Sequence, residues 1–153
     1  MRNRREVIGH SATVAVLLAG AGWLPRLASA EALPHGAFDA KTLDEFYKTL
    51  GAAKPAESNL VTLVAPEIAE NGAVVRMRVA TTAPNVKKLL LLIEKNPNVL
   101  SASFDVSPAI EPDFQVNVKM GQTSSVYAVA LTTDNKVLFA QKEVKVTLGG
   151  CGG

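Results

Sequence analysis

From residue 60 to residue 146 apolar residues recur at every second position, the period of a strand with one buried face, and no helical period interrupts them. Candidate strands fall at 60–65, 73–81, 86–94, 99–106, 113–119, 124–132 and 136–146. Turn residues separate them: Glu70-Asn71-Gly72, Ala83-Pro84-Asn85, Asn96-Pro97-Asn98, the stretch from Pro108 to Pro112, Gly121-Gln122 and Asp134-Asn135. About seven short strands joined in this way predict a mainly β fold, an immunoglobulin-like antiparallel β-sandwich. One run departs from the alternation. Leu89-Leu90-Leu91-Leu92-Ile93 is apolar throughout, so both of its faces need cover. A central strand between the second sheet and a helix provides it, and so does a strand with one face against a partner chain.

Upstream of the strands the period changes to 3.6. Leu43, Phe46, Tyr47 and Leu50 share one face of an amphipathic helix predicted over 39–50. Thr42 and Glu45 suit a capping box, Asp39 is an alternative cap, and Gly51 sits just past the end. Residues 31–38, with Pro34 and Gly36, read as a loosely ordered leader in which His35 is a solvated loop residue.

The final strand runs directly into Gly149-Gly150-Cys151-Gly152-Gly153, so the single cysteine stands between two pairs of glycines. Glycine lacks a Cβ and adopts φ > 0 freely, which predicts a flexible arm over 149–153 rooted in the edge or end of a sheet. A bare backbone can also thread a cleft that ordinary side chains would block. Fully extended at ~3.3–3.6 Å per residue, such an arm carries a sulfur atom on the order of 10 Å from the last ordered backbone. A core cysteine would sit on an ordered element instead. Prenylation does not fit, because only Gly152 and Gly153 follow Cys151 where that motif needs three residues. Adenylation of the terminal Gly152-Gly153 carboxylate needs cytosolic ATP, which the other end of the chain argues against.

Residues 1–30 are built as a bacterial export signal: basic Met1-Arg2-Asn3-Arg4-Arg5, a short apolar region diluted by Thr13, Gly20 and Gly22, and Ala28-Ser29-Ala30 as the cleavage site. Arg4-Arg5-Glu6-Val7-Ile8 fits a twin-arginine signal, predicting periplasmic export of an already folded protein. The apolar region falls below the ~20 residues of a membrane span, so no anchor is expected after cleavage. The signal holds four of the 16 Lys and Arg and one of the 14 Asp and Glu, leaving 12 basic against 13 acidic residues. A net of −1 offers nothing basic for nucleic acid or an anionic membrane.

Residues 31–153 are one domain's length, with 31–148 as the helix and sandwich and 149–153 as the arm. They hold one histidine, His35, and one cysteine, so no metal-ligand cluster, C-x-x-C pair or Cys/His couple is present, and no Gly-rich loop joins a strand to a helix. No cofactor is expected, and a partner assembled before export becomes the better reason for a twin-arginine signal. With only Lys145 nearby in sequence, the Cys151 thiol is expected to stay near the ~8.5 of a free cysteine and to depend on a partner's site for activation. The residues therefore describe a substrate-bearing module, not an enzyme. The alternative is an exported immunoglobulin-like structural module whose tail cysteine forms an intermolecular disulfide.

A one-cysteine, β-rich exported domain ending in Gly149-Gly150-Cys151-Gly152-Gly153 closely resembles the SoxY family, the sulfur-carrier subunits of the periplasmic thiosulfate-oxidising Sox system. The resemblance covers the signal, the helix, the β domain and, without departure, the terminal pentapeptide. It implies that Cys151 holds sulfur cargo covalently, first as a cysteine S-thiosulfonate and then as a persulfide. It also implies a heterodimer with a SoxZ-like subunit and no prosthetic group in the carrier. The implied enzymes are the haem-containing SoxXA, which couples thiosulfate to the thiol, SoxB, which hydrolyses off sulfate, and a sulfane dehydrogenase, SoxCD, where the organism has one.

Overall fold

The structure, a computed structural model, describes residues 32–148. The expected signal, 1–30, lies outside the described residues, as do Gly149, Gly150, Cys151, Gly152 and Gly153.

Two short helices stand where one was expected: α1, His35–Asp39, and α2, Leu43–Leu50. Thr42 separates them, because its extended backbone (φ −128°, ψ 156°) makes it the N-cap of α2. Its hydroxyl accepts from the Glu45 N–H at 3.2 Å, as a capping box requires. Glu45 returns its carboxylate one residue further back than the usual box, accepting from the Lys41 N–H at 2.9 Å. Gly51 ends α2 in the left-handed region at φ 56°, donating its N–H to the Lys48 carbonyl. The leader is thus more structured than expected: α1 fully buries Ala37, and Leu33 before it is nearly buried. His35 is exposed, on a helical turn and not in a loop. At Gly36 the two helices approach closely, where an added Cβ would lie 3.1 Å from Thr49 Cγ2.

Nine strands follow: β1 Ala56–Glu57, β2 Val61–Val64, β3 Ile68–Ala69, β4 Val75–Thr81, β5 Val86–Ile93, β6 Leu100–Asp105, β7 Asp113–Val118, β8 Ser124–Thr132 and β9 Val137–Val146. The larger sheet has the order β1-β9-β8-β5-β6, with β3 also against β9, and the smaller has the order β2-β4-β7. The seven longer strands pair antiparallel, as the immunoglobulin-like reading requires. The two short ones, β1 and β3, run parallel to β9. They belong to one stretch that follows the edge of β9 and, between them, leaves as β2 to join β4 in the other sheet.

β5 lies between β8 and β6, and its apolar run from Leu89 to Ile93 has no exposed surface. Leu89, Leu91 and Ile93 join the core between the sheets, with Val75, Met77 and Val79 of β4. Leu90 and Leu92 lie on the opposite face in a second core with Phe46 of α2, Val99, Val129 and Leu131. Both faces are covered from within this chain, so the run requires no partner. Phe104 of β6 and Phe114 of β7 stack with ring centres 4.4 Å apart and close the core at the side of the sandwich where both sheets end.

The second core also perturbs the chain's two tyrosines. Burial, reinforced by repulsion from Tyr127, pushes the Tyr47 phenol up to about 12. Burial also raises Tyr127, helped by the nearby Glu94 charge. An unfolded tyrosine ionises near ~10, so above that pH the unfolded chain binds fewer protons than the folded one. We therefore expect stability to fall as pH rises from about 10 towards 12, with little phenolate absorbance before unfolding begins. Alkaline titration of phenolate absorbance against far-UV circular dichroism checks this, and ordinary ionisation of both tyrosines in the folded protein would contradict it.

Candidate functional site

The residues singled out in the sequence, Cys151 and its glycines, lie outside the described residues, and the chain leading to them is defined through Leu148. β9 does not lie open on its outer side. β1 covers it at Leu138 and Phe139, and β3 covers it at Lys145 and Val146, so of the sheet edge or end expected as the root the structure shows the end.

The last four described residues are each held. The Lys145 N–H donates to the Glu67 carbonyl at 2.9 Å, and the Thr147 N–H to the Ala69 carbonyl at 3.1 Å. Between them the Val146 N–H finds Thr123 Oγ1 at 2.9 Å. Thr147 Oγ1 donates to the Glu70 carbonyl at 3.2 Å, and the Leu148 carbonyl accepts from the Gly72 N–H at 2.8 Å. Gly72 is itself fixed, since its carbonyl accepts from the Met120 N–H at 2.7 Å, while Asn71 Oδ1 accepts from the Ala73 N–H at 2.8 Å. The Glu70-Asn71-Gly72 turn is therefore a clamp on the end of β9. Cys151 is three residues beyond it in sequence, a backbone span of at most about 10 Å.

Apolar side chains collect around this root. Leu148 is 67 % exposed, and Ile68, Val74 and Val64 also face solvent. A cleft of about 630 Å³ opens beside them, with Val64, Pro66, Ala69, Val74 and Met77 in its walls and Arg76 and Arg78 also lining it. Arg78 forks onto Asp113, donating Nε to Oδ1 at 2.6 Å and Nη2 to Oδ2. These bonds hold the Asp113 carboxyl below its ordinary range and raise the guanidinium. Arg76 is exposed on the same strand face. Among the described residues no group of three His, Cys, Asp and Glu could hold a metal ion. No described helix is long and apolar enough to cross a membrane.

A family described as sulfur oxidation protein SoxY matches residues 46–151, from the middle of α2 through all nine strands to Cys151. The chain belongs to the SoxY family. The sulfur carrier protein SoxY from Chlorobium limicola f. thiosulfatophilum is 34 % identical, with a TM-score of 0.61 over 69 % of this chain and 94 % of that one. SoxY membership assigns the chain to sulfur oxidation, in a carrier role. Two other solved structures share the fold alone. A superoxide reductase (neelaredoxin) from Ignicoccus hospitalis is 21 % identical, with a TM-score of 0.51 over 57 % of this chain and 80 % of that one. A putative superoxide reductase from Thermotoga maritima is 14 % identical, with a TM-score of 0.50 over 63 % and 95 %. No curated protein matches the chain in sequence.

The clamp was not legible in the sequence because its members are far apart: Thr147 meets Glu70 across 77 positions. Replacing Thr123 with valine removes the acceptor for the Val146 N–H at nearly constant side-chain shape. We expect a loss of about 1 kcal/mol in chemical denaturation and faster amide exchange at Val146, with Leu90 and Leu92 still protected. Unchanged exchange at Val146 would show that this bond does not hold the root.

Proposed function

We propose that this protein is a periplasmic sulfur carrier that holds its cargo covalently on Cys151. It would be exported folded by the twin-arginine pathway and paired with a SoxZ-like subunit. Family membership carries the reading, and the matched stretch runs as far as Cys151. The clamped root supports it physically. A carrier thiol needs a rigid base, so that docking the domain delivers the sulfur to a predictable volume, and a short free length, so that it can enter an active site. With Gly149 and Gly150 before the cysteine and Gly152 and Gly153 after it, the arm needs clearance only for the thiol and its cargo.

In this reading the protein is a substrate module and not an enzyme. SoxXA couples thiosulfate oxidatively to the Cys151 thiol, SoxB releases sulfate from the conjugate, and SoxCD, where present, oxidises the sulfane sulfur that remains. The coupling step must supply the thiol activation that the carrier lacks, because a free cysteine with an ordinary pKa of ~8.5 is mostly protonated at neutral pH; the later steps act on a cysteine that is already conjugated.

The test is the intact mass of the protein from cells supplied with thiosulfate, before and after a reductant. Sulfur additions that fragmentation places on Cys151, that the reductant removes and that are absent from Cys151→Ser are expected. An unmodified thiol, or a protein–protein disulfide alone, during active thiosulfate oxidation would favour an immunoglobulin-like structural module. Gly152→Val is expected to leave the thermal midpoint unchanged and to slow turnover with at least one partner enzyme. Unchanged rates with all of them would remove the threading argument.

A further inference from the structure

Asn71 is the one asparagine of the chain that precedes a glycine; the others are followed by Arg, Leu, Val, Pro or Lys. The backbone nitrogen of the next residue can attack an asparagine's own side-chain carbonyl, and a glycine there, lacking a Cβ, leaves that ring closure least hindered. Here both reacting atoms belong to the clamp. Asn71 is exposed, so water reaches its amide. Its Oδ1 accepts from the Ala73 N–H at 2.8 Å, an Asx turn that ties the side chain to its own backbone. The same N–H is placed to stabilise the negative charge that gathers on Oδ1 when Cγ is attacked. The nucleophile, by contrast, is restrained. Gly72 is buried, its N–H donates to the Leu148 carbonyl at 2.8 Å, and its carbonyl accepts from the Met120 N–H at 2.7 Å. While both bonds stand, the Gly72 nitrogen keeps its proton and its peptide plane cannot turn.

We propose that Asn71-Gly72 is a self-modification site, gated by the clamp and able to release it. When the end of β9 lifts, the Gly72 nitrogen attacks Asn71 Cγ. That C–N bond forms, the Cγ–Nδ2 bond breaks, and ammonia leaves with the Gly72 proton. The product is a cyclic imide, reached without oxidant or reductant. Water then opens the ring at either carbonyl, giving aspartate or isoaspartate. In the imide Gly72 has no N–H, so the Leu148 carbonyl loses its donor. In isoaspartate the main chain runs through the former side chain and is longer by one methylene, so Gly72 no longer meets Leu148 and Met120 in the same register. Either acid also places a negative charge next to the exposed Glu70. The conversion runs one way, and the chain is afterwards no longer fixed as far as Leu148. Chemical wear at a surface turn is thereby passed to the strand that leads towards the cysteine.

The test incubates the purified protein and Thr123→Val in mildly alkaline buffer, which favours loss of the Gly72 proton, and follows aspartate and isoaspartate at residue 71 by fragmentation mass spectrometry. Conversion confined to Asn71 is expected, and it should be faster in Thr123→Val by about fivefold, the rise in open population when one ordinary hydrogen bond is lost. Protein enriched in isoaspartate at residue 71 should exchange its Val146 and Thr147 amides faster, with Leu90 and Leu92 still protected. Asn71→Ser keeps an acceptor for the Ala73 N–H but has no amide to lose, and should not convert. An Asn71 that stays intact in the folded protein while the urea-unfolded chain converts, equal rates in Thr123→Val and the parent protein, or unchanged exchange after conversion would overturn the inference. None of these outcomes depends on cargo at Cys151, so the carrier reading stands or falls separately.

Discussion

Five consecutive apolar residues in β5 leave no face of that strand for water, and the rest of the fold is arranged to cover both. One face requires a second sheet ~10 Å away, which β2, β4 and β7 supply. The other requires a helix, and α2 meets it with Phe46. Nothing on the sheet's outer face could replace that helix, because an uncovered Leu90-Leu92 face would cost of order 25 cal/mol for each Å² of apolar surface left in water. The short leader follows from the same need: α1 lies against α2 at Gly36 and Thr49 and adds Leu33 and Ala37 to the second core.

Local patterns were legible in the sequence and long-range returns of the chain were not. All seven longer strands begin and end within two residues of where alternation and turn residues placed them, because both signals are local. Thr42, Glu45 and Gly51 marked the ends of α2 through capping chemistry, and the expected start at residue 39 failed because an extended Thr42 must precede the helix. β1 and β3 carried no signal of their own. Two residues have no period, and their parallel pairing is decided by where β9 lies. The same holds for the candidate site. The lone cysteine among glycines is visible in the last five residues, while the turn that clamps the strand leading to it comes from near residue 70 and shows in sequence only as Asn71-Gly72.

That clamp divides the end of the chain in a way that suits a carrier. Through Leu148 the backbone is held by β3, Thr123 and the Asn71-Gly72 turn, and the apolar cleft with its two arginines lies beside the same point. A carrier arm is useful when the length of its free part is defined. If the last residues of β9 peeled away, a docked domain would spread its thiol over a larger volume and lower its effective concentration at a partner's catalytic groups. Holding the root conserves that concentration.

β9 is also the last of the described strands in chain order. It is the neighbour of β8 and the template for both β1 and β3, so the larger sheet cannot close until β9 has been made. Until then the outer edge of β8 and the short segments on either side of β2 have no strand to pair with. Completion of the larger sheet and fixing of residues 145–148 are thus a single event, and a chain that has not finished folding has no fixed point from which to extend a cysteine.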